Sequence, residues 1–502
     1  MRACSLTVCL LAAACGDAAT SGLDPRTTIR STNDNVGEAG SANTNANQNA
    51  GGSNNNNASN ANINTSQNDN TNANANQNTN DNQQIPEPDP CIDAPTALED
   101  AIDSALPGDT VTLCAGVWDG LTLTVRSSGS EDAPVRIVGE DGVRVTGESE
   151  IRIEGDYVSL AYLRFENGEP LGDNGAVRIF GDHVSFTDSV IDGYNGVGKK
   201  WLSLEAGSTF GEVAYNRFAN KDTKGALLTV WRSNSSAQDH WIHHNHFVDY
   251  ADGGGENGWE TIRIGTSDQS QSDSRTTVEA NLFERCDGEI EIISVKSGAN
   301  VLRGNTFLES AGLLTLRHGK GNRVEDNVFL TGEVDGGGGI RIYDSDHMIR
   351  NNYIEGVRTG SNSRGGIVLH SGNNLEGGPD TALNGQWTPY RVEIVANTVI
   401  DAQQSFVYGG RQSFPAREPV FRDNLVFNDA AFTVVREDGT LVTPSYASEQ
   451  YWGSSLGISS RSGITFAAVD DLRTENGLRL SPSRGATGLV PLSVSEVGPR
   501  PR

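Results

Sequence analysis

The chain has 502 residues, a formal net charge of -27 and a mean hydropathy of -0.43. A surface this acidic excludes nucleic acid and anionic membrane as partners, and a polyanionic substrate would need a site of locally reversed charge. The length allows two or three domains, but the N-terminal part has too few apolar residues to build one.

Met1 to Ala14 (MRACSLTVCLLAAA) reads as an export signal: Arg2, an apolar run, then small residues. Cys15 follows three alanines and precedes Gly16-Asp17, which resembles a bacterial lipoprotein processing site; Ala12 stands where a leucine is usual, with Leu11 one place further back. Residues 1–15 are therefore expected to be signal and anchor. The protein would then be lipid-tethered at the outer membrane or cell surface, or secreted free. Residues 16–90 read as a linker, Asn-rich from about Ser41 to Gln84, with almost nothing to bury against the entropy of ordering. As a flexible coil from Cys15 to Pro90 it would span roughly 50 Å r.m.s.. No later apolar run is long enough to cross a bilayer, so any membrane contact is expected through the lipid alone.

The working domain is expected over 91–502. Export permits a disulfide between Cys91 and Cys114, leaving Cys286 as a buried, inert thiol. TALEDAIDSALPGD, from Thr96, predicts a helix with Leu98, Ala101, Ile102, Ala105 and Leu106 on one stripe, Thr96 as its cap and Pro107-Gly108 as its stop. It would cover the first coil of a repeat that occupies most of the domain.

The repeat is Asn, any residue, then a large apolar residue. It recurs at Asn216, Asn245, Asn281, Asn305, Asn327, Asn352, Asn397 and Asn424, in steps of 29, 36, 24, 22, 25, 45 and 27. GDYVSLAYLRF from Gly155 and GDHVSFTDSVI from Gly181 carry the same unit upstream. Short alternating strands broken by Gly, Asn and Asp turns at this period predict an all-β parallel β-helix. The asparagines are expected to stack as a hydrogen-bonded ladder inside one turn. The long steps mark inserted loops, at Asp252 to Gly258 with Ser267 to Arg275 and at Ser371 to Tyr390.

ETIRIG (from Glu260), GEIEIIS (from Gly288), LTLRHG (from Leu314), GIRIYD (from Gly339) and GIVLHSG (from Gly366) read as equivalent strands in successive coils. Strand alternation puts Ile290 and Ile292 on one face and Glu289 and Glu291 on the other, side by side, where they repel unless a proton or cation intervenes. The alternation breaks at Ile292-Ile293, so a turn is expected there before Lys296. Arg263, Glu289, Glu291, Arg317, Arg341 and His370 would share the outward face. For any one arginine a solvated salt bridge would suffice; the whole stripe beside inserted loops points to a binding groove.

These residues resemble polysaccharide lyase family 6, which includes alginate lyases and the dermatan-sulfate-cleaving chondroitinase B. The resemblance runs from PGDTVTL through NGWETIRIG, NLFERCDGEIEIISVKSG and NTFLESAGLLTLRHG to PLSVSEVGP. It implies a right-handed, single-stranded β-helix acting as a monomer. It also implies Lys296 as the Brønsted base, with Arg317, 21 residues on, acting at the leaving oxygen. Glu289, Glu291 and Asn257 would be calcium ligands. His318, Arg341 and Arg263 would line the sugar sites.

The chemistry is coherent on its own terms. Removing the C5 proton of a uronate requires its carboxylate to be neutralised, which calcium on hard oxygen ligands does. A lysine near cations can serve as the base, and an arginine stays charged to face the developing oxyanion. The expected substrate is an anionic polysaccharide, alginate first and dermatan sulfate as the alternative. A pectin-type hydrolase would need carboxylates placed across a bond and a water, which adjacent strand neighbours are not. A non-enzymatic adhesin would leave Lys296 and Arg317 as coincidence. HWIHHNHF (240–247) suggests zinc, but Asn245 and Phe247 fall on repeat positions and no metalloprotease glutamate is present.

Overall fold

The computed structural model describes residues 90–375, 382–410, 412–429 and 432–502; the signal, Cys15 and the linker lie outside the described residues. Between Thr110 and Ala447 the chain winds as a parallel β-solenoid with three strand-bearing faces, A, B and C, and face A stacks 13 strands in strict coil order. Each strand pairs in parallel with its equivalent one coil away: Val278 sits on Ile242, Leu302 on Val278 and Val324 on Leu302. The inward row of face B is a column of phenylalanines, Phe218, Phe247, Phe283, Phe307 and Phe329, stacked at 4.4–5.1 Å between ring centres. Coils of such different length share one register because the repeat fixes the inward residues and leaves the turns free.

All eight repeat asparagines are fully buried and form the expected ladder between faces A and B. The Oδ1 of Asn245 accepts from both the backbone N–H and the side-chain amide of Asn216, at 3.0 and 3.1 Å, and the pattern repeats as far as Asn424. The residue before each takes the left-handed turn conformation, as at Asp326 (φ 60°) and Asn351 (φ 53°), which aims each amide into the core. The ladder ends on a residue the repeat did not reveal. Glu449 is fully buried, and its carboxylate accepts the Asn424 backbone and side-chain N–H groups at 3.0–3.2 Å. A second, shorter ladder runs between faces C and A from Thr276 through Asn300 and Asn322 to His347.

The capping helix α1 spans Pro95–Ser104 and buries Leu98 and Ile102 over the first coil. Two expectations about it fail. The helix starts after Ala94, with Pro95 in its first turn, so Thr96 is already helical and caps nothing. The chain turns extended at Ala105, which takes Leu106 off the stripe and leaves it 67% exposed. The Cys91–Cys114 disulfide is formed beside this helix, and Cys286 is a buried free thiol, its pKa pushed up by burial. At the other end, residues 481–502 run back along the A–B turn ridge as a strap. Gly485 donates to the Asp423 carbonyl, Leu492 to the Thr306 hydroxyl, Gly498 to the His244 carbonyl, and Arg500 pairs with Asp188.

Candidate active site

Five strands of face C in successive coils form the floor: β1 (Ile262–Ile264), β2 (Glu291–Lys296), β3 (Leu313–His318), β4 (Ile340–Ile342) and β5 (Ile367–Leu369). Their register lines up Arg263, Ser294, Thr315 and Arg341 across the middle of the floor. Two register shifts shape what lies at either end of that row. Ile292 is an extra residue in β2, and Arg317 an extra residue in β3, so Lys296 pairs with His318 and Arg317 bulges beside them.

The first shift corrects the expectation of a turn at Ile292-Ile293. It is a bulge, which lets Ile292 and Ile293 both enter the core while the strand continues to Lys296. Ile290 and Ile292 therefore do not share one core: Ile292 joins the central one, and Ile290 packs on a separate cluster of Leu313, Val368 and Val407.

The glutamate pair is buried, with Glu289 7% and Glu291 2% exposed, and the two carboxylates are in opposite electrostatic situations. Glu291 would be raised by burial, but Arg317, Arg341 and Lys296 overcome this and hold it at about 2. Its Oε1 accepts from Arg317 at 3.1 Å and from Arg341, and Ser294 donates its hydroxyl to the other side. Glu289 is pushed up to about 9, by burial first and then by the charges of Glu260 and Glu291. Its Oε1 is buried without a hydrogen-bond partner, as is the Oε2 of Glu260. Glu260 is 1% exposed, and its other oxygen lies 3.6 Å from the Lys296 ammonium.

The structure thus brings together Lys296, Arg317, Arg341, Glu289 and Glu291, with His318 at the strand end and Arg263 one coil away. His318 is fully buried, and burial together with Arg317 and Lys296 lowers it to about 3, so the imidazole is neutral. Arg263 lies over the Trp231 ring at 5.0 Å and lines a recess of about 260 Å³ with Trp231, Ser267, Asp268 and Lys296. Asn257 is not gathered in; it is exposed on the turn before Glu260, and no hydrogen bond ties it to either glutamate. His370 stands further along the floor, against the Tyr343 ring at 4.8 Å.

The donor set fits calcium chemically. Two buried carboxylate oxygens without partners, raised in energy by mutual repulsion, are what a hard cation relieves. The cage is not closed, because among the described residues only Cys91, Cys114 and Glu140 bring three acidic, thiol or imidazole ligand atoms within 4.8 Å, and those thiols are in the disulfide. Glu260 was missed from the sequence as a site residue, although it opens the ETIRIG strand. Its signal was the same as that of Glu291: a carboxylate adjoining an inward isoleucine row.

The sequence model of the chondroitinase B family matches residues 92–437, most of the solenoid. The chain belongs to polysaccharide lyase family 6. A solved family 6 alginate lyase in complex with a trisaccharide aligns with a TM-score of 0.73 at 30% identity, over 81% of this chain and 92% of that one. The family 6 alginate lyase AlyGC aligns at 0.75 and 31%, over 81% of this chain and 58% of that one. A mannuronic-acid-specific family 6 lyase from human gut microbiota aligns at 0.68 and 29%, over 75% of this chain and 90% of that one. No protein with a curated description matches in sequence. This family 6 member is a polysaccharide lyase, and its groove is the place to look for its chemistry.

Proposed function

We propose that the enzyme cleaves alginate by β-elimination, with Lys296 as base and Arg317 at the leaving oxygen. The observation that carries this reading is their placement: they end adjacent strands of one groove, with Arg317 at a bulge beside the Lys296–His318 pair and Glu291 fixing both Arg317 and Arg341. Lys296 takes the C5 proton of the uronate, and the released electron pair forms the C4–C5 double bond as the C4–O4 bond breaks. Negative charge gathers on O4 of the leaving sugar, where the permanently charged Arg317 stabilises it until it is protonated. Arg263 and Arg341 line the sugar positions, while the neutral His318, expected there as well, is fully buried and backs the floor beside Lys296. Calcium held through the unpartnered oxygens of Glu289 and Glu260, with Glu291 beside them, would neutralise the uronate carboxylate and ease loss of the C5 proton; Asn257, exposed on its turn, would have to move inward to join them.

Alginate is favoured because the solved relatives near 30% identity are described as alginate lyases. Dermatan sulfate is the second reading, favoured by the family model's description as chondroitinase B. The test is ultraviolet absorbance, which reports the unsaturated product, on each polymer with calcium and with chelator. A rise on alginate that is lost in Lys296→Ala supports the proposal. A rise on dermatan sulfate alone overturns the substrate, and cleavage without new absorbance overturns elimination. We further propose export and lipid tethering through Cys15, for which Cys15→Ser should move the protein from membranes to the soluble fraction.

A further inference from the structure

Both described insertions beside the groove meet at one buried carboxylate. Asp344 directly follows Tyr343 at the end of β4 and is fully buried. Its Oδ2 accepts from the Gly319 backbone N–H at 2.9 Å and from the Gln271 side-chain amide at 2.6 Å, while Oδ1 is buried without a partner. Gln271 belongs to the first insertion. The Asp344 backbone is tied to the second: its N–H donates to the Trp387 carbonyl at 2.9 Å, and its carbonyl accepts from Tyr390 at 3.3 Å. The two insertions also touch directly, through the Ser270 hydroxyl donating to the Leu383 carbonyl at 2.6 Å. Asp344 holds all this in a left-handed backbone conformation, φ 67°.

A buried carboxylate with one oxygen left without a partner is not what stability alone would retain. What it grips explains it better. Gly319 follows Arg317-His318, and it too is left-handed (φ 88°), packed so closely that a β-carbon there would run into the Ser297 carbonyl. Ser297 follows Lys296, and its carbonyl is held by the Asn300 and Asn322 amides at 3.0 and 3.2 Å. The ends of β2 and β3 are therefore pressed together, and Asp344 is a clamp on the turn that leaves Arg317.

We propose that Asp344 is a positioning residue for the lyase reaction: it fixes the strand end presenting Arg317 and His318, and seats the Gln271 insertion beside the same groove. The proposal rests on the roles given above to Lys296 and Arg317. It depends on acceptor geometry and not on charge, so asparagine, whose amide oxygen can occupy the Oδ2 position, should preserve the role that alanine removes.

The test compares full-length wild type, Asp344→Asn, Asp344→Ala and Gln271→Ala. Per folded molecule, kcat on alginate should fall at least about tenfold in Asp344→Ala, since small misplacements of a catalytic group are costly. Most of it should return in Asp344→Asn. In Gln271→Ala, KM should rise while kcat stays within about threefold. Hydrogen exchange on the same proteins without substrate should quicken at 267–275 and 317–320 in Asp344→Ala, but not around Asn397 and Asn424. Unchanged exchange overturns the proposal whether or not any polymer is cleaved. So does wild-type kcat and KM in Asp344→Ala, or an asparagine variant as impaired as alanine. A wild type inactive on every uronide would sink the lyase roles of Lys296 and Arg317 instead, and the exchange result would then decide the role of Asp344 alone.

Discussion

Replacing Glu449 by glutamine should stabilise the solenoid in neutral and alkaline solution and do little in mild acid. Glu449 ends the asparagine ladder fully buried, accepting two N–H groups of Asn424 and the Tyr451 hydroxyl. Burial pushes its carboxyl from the ordinary 4.5 up to about 7, against the pull of Tyr451 and Asn424. A raised folded value means that the folded chain binds the proton more tightly than the unfolded one. The protonated form's contribution is therefore complete below about pH 4.5 and is lost as pH rises through about 7. At about 1.4 kcal/mol per tenfold, that gap amounts to roughly 3 kcal/mol above pH 7. Glutamine keeps the acceptor for Asn424 and carries no charge to bury, so Glu449→Gln should recover it. Urea unfolding of both proteins at pH 4.5 and pH 8.5 is the assay, because groups common to both cancel in the difference. A gap near zero in acid that opens to the order of 3 kcal/mol at pH 8.5 is expected. A variant no more stable than wild type at pH 8.5, or a gap independent of pH, would refute the reasoning.

Calcium should raise the melting temperature of the full chain, and Glu289→Gln should lose most of that shift; calorimetry with calcium and chelator reads it directly, and a wild type indifferent to calcium counts against the site. Cys114→Ser should destabilise the capping end by about 3 kcal/mol, from a crosslink spanning 23 residues. That loss should show as faster hydrogen exchange in α1 and the first coils, with the face-C groove unaffected. Arg500→Ala should loosen the C-terminal strap over Asp188; with the guanidinium 52% exposed, the cost is expected at about 1 kcal/mol or less, read as proteolytic release of residues 481–502 before the solenoid unfolds.

The solenoid was legible because its rule is local. Each coil repeats an inward apolar row and an asparagine at a fixed place, so eight positions in the sequence announced one ladder. Lys296 and Arg317 were legible through the family motifs that carry them, ISVKSG and LTLRHG, because the register sets neither level with Arg341, which lies in the row of Arg263, Ser294 and Thr315. What escaped were features that depend on one-residue shifts or on partners far apart in the chain. The bulge at Ile292 reads as a break in alternation whether the chain turns or continues, and only burial of both isoleucines distinguishes the two. Glu449 lacks the asparagine signature yet fills an asparagine's place, because a protonated or charged carboxylate can accept the same two N–H groups. Thr96 looked like a cap because Thr is a good one, but Pro95 begins a helix more readily still. The clamp at Asp344 joins residues 271, 319 and 344, a relation that no short stretch contains.

The sign of the groove follows from the same arrangement. The chain carries -27 overall, yet its candidate site gathers Arg263, Lys296, Arg317 and Arg341 against Glu260, Glu289 and Glu291. Burial and the charges of Glu260 and Glu291 push the Glu289 carboxyl up, and the four cations outnumber the three carboxylates before any metal adds to them. Glu291 does not cancel the arginines for a substrate so much as aim them, because its Oε1 is already shared by Arg317 and Arg341. An anionic polysaccharide approaching so acidic a chain is repelled on the whole and attracted where these cations gather. Capture should therefore depend on ionic strength in two opposed ways: added salt screens the long-range repulsion from the acidic surface and also weakens the short-range attraction of the groove. At about 8–10 Å of screening length near physiological salt, the second effect is confined to groups in contact, while the first is largely removed. Raising salt from very low values should first speed and then slow cleavage, and an acidic enzyme acting on an acidic polymer should have its maximum at moderate ionic strength.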